Sequence, residues 1–364
     1  FTSIHPSVGW KFREVAFDHQ IKSHEPDFDG RVAPIVFTDL HPLYGQADIV
    51  SSSTKRNSAI QQDLVENLVK AKDLIDHWLG IQHHYLLSMF NEKVQSLIEK
   101  IDGYFVSSDE TEVIDFLKLE LHPLLNKLAF GDAKYPLSDF ETYTQQLDDE
   151  LGIIYKQRKA YEQSVNLINQ AISDIVEEED ETMQAVMPHY FEKYKTDGIE
   201  YNIYLGRSIS PAKEFDHFDL KNFRIWQLNL MARITNLSTK LSKELPVPLE
   251  TAQLIFIYNN HLDIRFRLDE KQFDVDGTYN VRYEILKKRI DKATILGTKE
   301  RLTLAGKVAM VYLQEKDKQE YLDYLHFLIK EGVFEPEIEE LELNKLQGAE
   351  GLRALRVTPV YREA

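Results

Sequence analysis

From Ser51 onward, apolar residues recur at steps of three and four. Ile60, Leu64, Leu68, Ala71, Ile75 and Trp78 form one stripe behind the capping oxygens of Ser51, Ser52, Ser53 and Thr54, which predicts an amphipathic helix. A second stripe runs through Leu87, Phe90, Val94, Leu97 and Ile101, and a third, over Glu110 to Leu128, through Val113, Leu117, Leu121, Leu124, Leu125 and Leu128. Gly103 and the Gly131 to Pro136 segment punctuate them. A fourth stripe alternates steps of four and three through Leu147, Leu151, Ile154, Arg158, Tyr161, Val165, Ile168, Ile172 and Ile175, with Arg158 as its one polar break. That period suits either the core of an antiparallel bundle or a coiled-coil seam between two copies. The acidic run Glu177 to Glu181 falls at the negative end of this helix, where carboxylates are unfavourable, and predicts that the helix stops nearby.

Past Asp197 and Gly198 the period changes. β-branched and aromatic runs predict strands at Tyr201 to Leu205, Ala252 to Tyr258, Asp263 to Leu268, Val308 to Leu313, Ile338 to Leu343 and Leu355 to Val360, with a hairpin turned at Asn259, Asn260 and His261. Helices are predicted over Asp219 to Ser242, Thr278 to Ala293 and Lys316 to Lys330, the last stopped by Gly332. Before Ser51, four prolines and three glycines predict an irregular arm with one short strand at Val32 to Phe37. The organisation expected is therefore α+β: an arm over 1–50, an antiparallel helical bundle over 51–196, and a smaller mixed domain over 197–364 with a mainly antiparallel sheet.

Composition narrows the function classes. The 364 residues contain no cysteine, which excludes thiolate metal sites, disulfides and cysteine nucleophiles and fits a cytoplasmic setting. A net charge of −17, from 60 acidic and 43 basic residues, argues against nucleic acid as a partner. Apolar runs such as Leu254 to Tyr258 are too short to span a membrane. The chain begins at Phe1 rather than methionine, so an upstream domain of a longer protein is expected.

Few residues are placed for chemistry. Asp39, His41 and Asp48 are the tightest acid and histidine group and a weak metal candidate, against a turn-making role for Asp39 and Pro42. Basic residues crowd the segment 265–301. Arg265 and Arg267 share a strand face and, with Arg282 and Arg289, form a candidate anion clamp, the alternative being ordinary pairing with neighbouring carboxylates. Asp274 or Asp276 would serve such a site as acid or metal ligand, although the run to Gly277 mismatches a calcium loop. His77, His83, His84 and His122 read as surface or half-buried histidines, and no phosphate loop or nucleophile elbow occurs. No cofactor and no catalytic residue is expected. Phe37-Thr38-Asp39-Leu40 resembles the metal-binding strand of nucleotide cyclases, but long helices follow it and no second strand-borne aspartate lies at a suitable distance.

Pro42-Leu43-Tyr44-Gly45-Gln46-Ala47-Asp48-Ile49 and the stretches Phe273 to Gly277 and Arg289 to Ala293, with Glu214-Phe215-Asp216 and Asp219 to Asn222, resemble the C-terminal region of large bacterial GAF-domain-containing proteins. The resemblance implies a regulatory or interaction region of a cytoplasmic signalling protein, with the sensing module upstream and either a protein partner or a homodimer. It supplies no catalytic residues.

Overall fold

The computed structural model describes residues 4–25, 28–103, 105–277, 281–346 and 349–361. Its elements, in chain order, are α1 (Gly9–Lys22), β1 (Val36–Ile49), α2 (Ser52–Ile81), α3 (Tyr85–Gly103), α4 (Ser107–Asp115), a π-helical segment (Phe116–Leu121), α5 (His122–Gly131), α6 (Leu137–Thr144), α7 (Gln157–Val186), β2 (Tyr190–Lys195), β3 (Ile199–Leu205), α8 (His217–Ser242), β4 (Thr251–Phe256), β5 (Leu262–Arg267), β6 (Gln272–Asp276), α9 (Val281–Lys287), a 3-10 turn (Ile290–Lys292), β7 (Val308–Tyr312), α10 (Glu315–Lys330), β8 (Phe334–Glu342) and β9 (Arg353–Pro359). The class is α+β. Two compact units divide the chain: residues 1–50 with 167–364, and residues 51–166.

The first unit is built on β1. Its later part pairs antiparallel with β3 on one edge and β4 on the other, and its first residues pair with β5, giving the order β2-β3-β1-β4-β7-β9-β8 with β5 and β6 beyond β1. Among the described residues, only β4 and β7 pair in parallel. β4 and β5 flank the same strand in succession rather than each other, so Asn259 to His261 form a step along β1 and not the hairpin turn expected there. Asp39 marks that step. Its φ of 61° and the register shift between Phe37 and Leu40 make a bulge where β1 passes from one partner to the next.

The segment 1–50 is thus no arm. Its prolines and glycines hid both α1 and the central strand. Gly45 is required by close approach: a Cβ there would lie 2.4 Å from Met231 Cε of α8 and from the Tyr201 ring. Pro42 faces Tyr204 across the β1–β3 pair, a position that sequence rules assign to edges.

In the second unit, Leu64, Leu68, Ile75 and Trp78 of α2 pack with Leu87, Phe90, Val94, Leu97, Val113, Phe116, Leu117 and Leu121 in one buried cluster. The predicted stripes are therefore the core, but the third helix is broken. Pro123 stands in the first turn of α5, where its missing N–H and its ring interrupt the α-helical ladder just behind the π-helical segment. The fourth stripe also begins late. Leu147 to Ile154 precede the helix, whose start is fixed by the buried Asp63 carboxylate, which accepts from the backbone N–H groups of Lys156, Gln157 and Arg158 at 3.2, 2.8 and 2.9 Å. Arg158 is partnered by Glu110 at 2.6 Å and Glu162 at 3.1 Å.

Nor does α7 stop at Glu177 to Glu181. Glu177 pairs with Lys193, Glu179 pairs with Arg233 and accepts from Trp226 at 2.9 Å, and the buried Asp180 meets His189 Nε2 at 2.7 Å. Lys193 on β2 and Arg233 on α8 offset the charge that would end an isolated helix, and Trp226 and His189 hydrogen-bond Glu179 and Asp180. The division expected at 196/197 accordingly falls at 166/167, within α7.

Replacing Gly45 by alanine forces a methyl group against the buried Tyr201 ring. It is expected to destabilise the protein by about 2 kcal/mol, read as a lower urea midpoint with an unchanged m-value.

Candidate functional site

Residues 42–49 and the described residues of 273–293 meet on one face of the sheet: Tyr44 and Gln46 come from the first stretch, and Phe273 and, on α9, Tyr283, Glu284 and Lys287 from the second. Alternation along β2 places Tyr190, Glu192 and Tyr194 on this same face. The opposite face of β2 carries Lys193, which reaches Ser173 and Glu177 of α7.

Glu192 is the hub. Tyr190 donates to its Oε1 at 2.7 Å, and Tyr194 also hydrogen-bonds its carboxylate. Burial pushes its pKa above the ordinary carboxylate value, opposed by those two phenols and by Lys287. Glu200, hydrogen-bonded by Tyr44, is raised in the same direction, again chiefly by burial. Lys287 lies between rings and acids: its Nζ is 2.7 Å from Glu284, 3.4 Å from Asn202 Oδ1, and 5.7 and 5.6 Å from the ring centroids of Tyr44 and Tyr283. Burial holds the phenols of Tyr44, Tyr190, Tyr194, Tyr204 and Tyr283 protonated. The Tyr283 hydroxyl is fully buried and has no hydrogen-bond partner among the described residues. A concentration of shifted titrating groups of this kind is a mark of functional sites.

Glu192 opens onto a groove of about 1270 Å3 between α1, β2 and the β5–β6 hairpin. Phe12, Val15, Tyr190, Phe266 and Phe273 supply most of its apolar lining, with His5, His19 and Lys271 as polar elements. The rings support each other: Phe12 meets Phe266 edge-on at 4.8 Å, and Tyr190 meets Phe273 at 4.8 Å. The arrangement can desolvate an apolar body while presenting one carboxyl group to it.

The residues singled out from sequence fare differently. Asp39 and His41 do stand together at the start of β1, where Asp39 bonds His261 Nδ1 and the His41 and His261 rings lie 4.1 Å apart. Burial, then His261 and Arg224, push His41 down to about 4. Asp48, however, sits at the other end of the strand, roughly 23 Å away at 3.3 Å per residue. The three therefore cannot share an ion, and among the described residues no group of histidines and carboxylates is placed to hold one. Arg265 is engaged by Asp276 at 2.8 Å and Arg267 by Asp269 at 4.0 Å, while Arg282 lies exposed on α9 and Arg289 half-buried just beyond it. The ordinary pairing foreseen as the alternative accounts for Arg265 and Arg267.

Sequence reading missed His261, taken as a turn residue, and Arg224, which is buried beside Asn259 and pairs with Glu320 at 2.7 Å. It missed Glu192, Glu200 and Lys287 as well. Each lies in an ordinary amphipathic context, and only the sheet order brings them together. The one legible signal was the run of tyrosines at 190, 194, 201 and 204 flanking the acids.

No family model matches the chain, and no curated protein matches it. Among solved structures, the guanylyl cyclase Cya2 aligns with 60% of this chain and 85% of its own at a TM-score of 0.31 and 13% identity, a likeness too slight to carry an argument.

Asp48 gives a pH prediction. Burial first, then Asp291 and Asp197, raise its pKa to about 6. A carboxyl that holds its proton more tightly when folded contributes stability below its unfolded pKa and loses it as pH rises to about 6. Asp48→Asn is expected to raise stability at neutral pH by about 1–2 kcal/mol and to leave it unchanged at about pH 3, measured by urea unfolding across pH.

Proposed function

We propose that this chain is a regulatory, ligand-binding region of a cytoplasmic sensory protein of the GAF-associated kind, working by binding rather than catalysis. The observation that carries the reading is the aromatic groove with the half-buried Glu192 at its polar side. Phe273, from one of the stretches resembling that family, lines the groove. No helix among the described residues is long and apolar enough to cross a membrane. The competing reading, an anion clamp in the basic segment, loses support where Arg265 and Arg267 are paired.

Ligands with an apolar body should raise the melting temperature, because a molecule bound only to the native state at 100 times its Kd adds about 2.7 kcal/mol. Ala16 lines the groove from the exposed side of α1. Ala16→Trp is expected to abolish the ligand-induced rise while leaving the unliganded melting temperature nearly unchanged. A full rise in that variant would rule the groove out as the binding site.

We read residues 51–166 as an antiparallel bundle and the α7 stripe as internal core rather than a homodimer seam, because Ile154 and Ile168 are both buried within this single chain. The double variant Ile154→Glu with Ile168→Glu should then lose helicity by circular dichroism. A halved mass in light scattering with helicity intact would instead establish the seam.

A further inference from the structure

We propose that the groove binds an organic cation, an amine or quaternary ammonium group carried on an apolar body, with the Glu192 carboxylate as its counter-ion. This rests on the reading of the groove as a ligand site and names the class of ligand. The walls come from three elements: Phe12 from α1, Tyr190 and Tyr194 from β2, and Phe266 and Phe273 from the β5–β6 hairpin. Aromatic faces carry negative charge density, and a set of them around one volume attracts a cation while excluding water.

Charge decides between the ligand classes. Among the described residues Glu192 is hydrogen-bonded by two phenols, and no lysine or arginine stands within ion-pair distance of it. Lys287 is held by Glu284 at 2.7 Å, and Lys193 points to the other side of the strand, toward Glu177. An anionic ligand would find Lys193 and Lys271 on the lining, but Lys193 is already paired with Glu177, and the ligand would have to lie against both Glu192 and Glu270. A neutral ligand would add nothing to the two phenols that already stabilise the half-buried carboxylate. A cation does add to them, since an opposite charge in the same desolvated volume favours ionisation. Binding must then displace the proton that burial helps Glu192 to keep, so affinity rises with pH through the raised carboxylate range and levels off above it.

Calorimetric titration of the whole chain with benzyltrimethylammonium, benzyl alcohol and phenylacetate separates the cases. These share a ring and differ in charge. The cation is expected to bind at least about tenfold more tightly than either of the others at neutral pH, and to lose that margin as pH falls through the raised carboxylate range. Glu192→Gln should remove the preference without lowering the melting temperature, and Tyr194→Phe should reduce it in part. Tighter binding of phenylacetate or benzyl alcohol overturns the cation and leaves the groove as a ligand site; failure of all three to bind overturns both readings. Where Glu192→Gln does not fold, the wild-type pH profile decides, because an affinity for the cation that does not change with pH contradicts the proposal.

Discussion

Strand β1 is hydrogen-bonded along both edges, and the first unit depends on that one constraint. A strand paired on one side can shift register or fray, whereas one paired on both sides fixes which residues face each layer. Because Tyr44 stands opposite both Asn202 and Phe256, the tyrosine face and the α8 face are set together. Gly45 is part of the same constraint, since the side pointing to α8 has no room for a side chain. The bulge at Asp39 then lets the strand take a second partner, β5, which carries the hairpin that walls the groove.

Much of this architecture was legible. The helical stripes of residues 60–101 and the strands at 201–205, 252–256, 263–267 and 308–312 lie close to where their periods put them, because local burial sets those periods. The misreadings share a physical origin. Pro42 and Gly45 look like loop residues, but tertiary pairing overrides their local preferences in β1. Glu177 to Glu181 look like a helix end, yet Lys193 and Arg233 pair with Glu177 and Glu179, and Trp226 and His189 hydrogen-bond Glu179 and Asp180, from elements that only the folded chain brings near. The site was less legible than the fold for the same reason. Asp39 and His41 are neighbours in sequence and in space, but Glu192, Lys287 and Tyr44 lie on three separate elements, and no spacing rule connects them.

The face that holds Glu192 combines two tendencies that usually oppose each other. Rings exclude water and raise the cost of charge, while carboxylates need water or a partner. Here phenol hydroxyls take the place of water for Glu192 and Glu200, and Lys287 serves as the one internal cation, lying against two rings and bonded to Glu284. Such a surface is tuned by small changes of position, because hydrogen bonds at low dielectric strengthen and weaken steeply with geometry.

The placement of the helical unit between β1 and the strands that pair with it has a kinetic consequence. Tyr44 cannot meet Asn202 or Phe256 until the whole intervening chain has been synthesised and drawn together, so the sheet is assembled from contacts of high sequence separation. The helices of residues 51–166 meet mostly near neighbours in the chain and collapse early, which shortens the effective loop that β1 must close. The strand made early in the chain therefore waits for partners made after it.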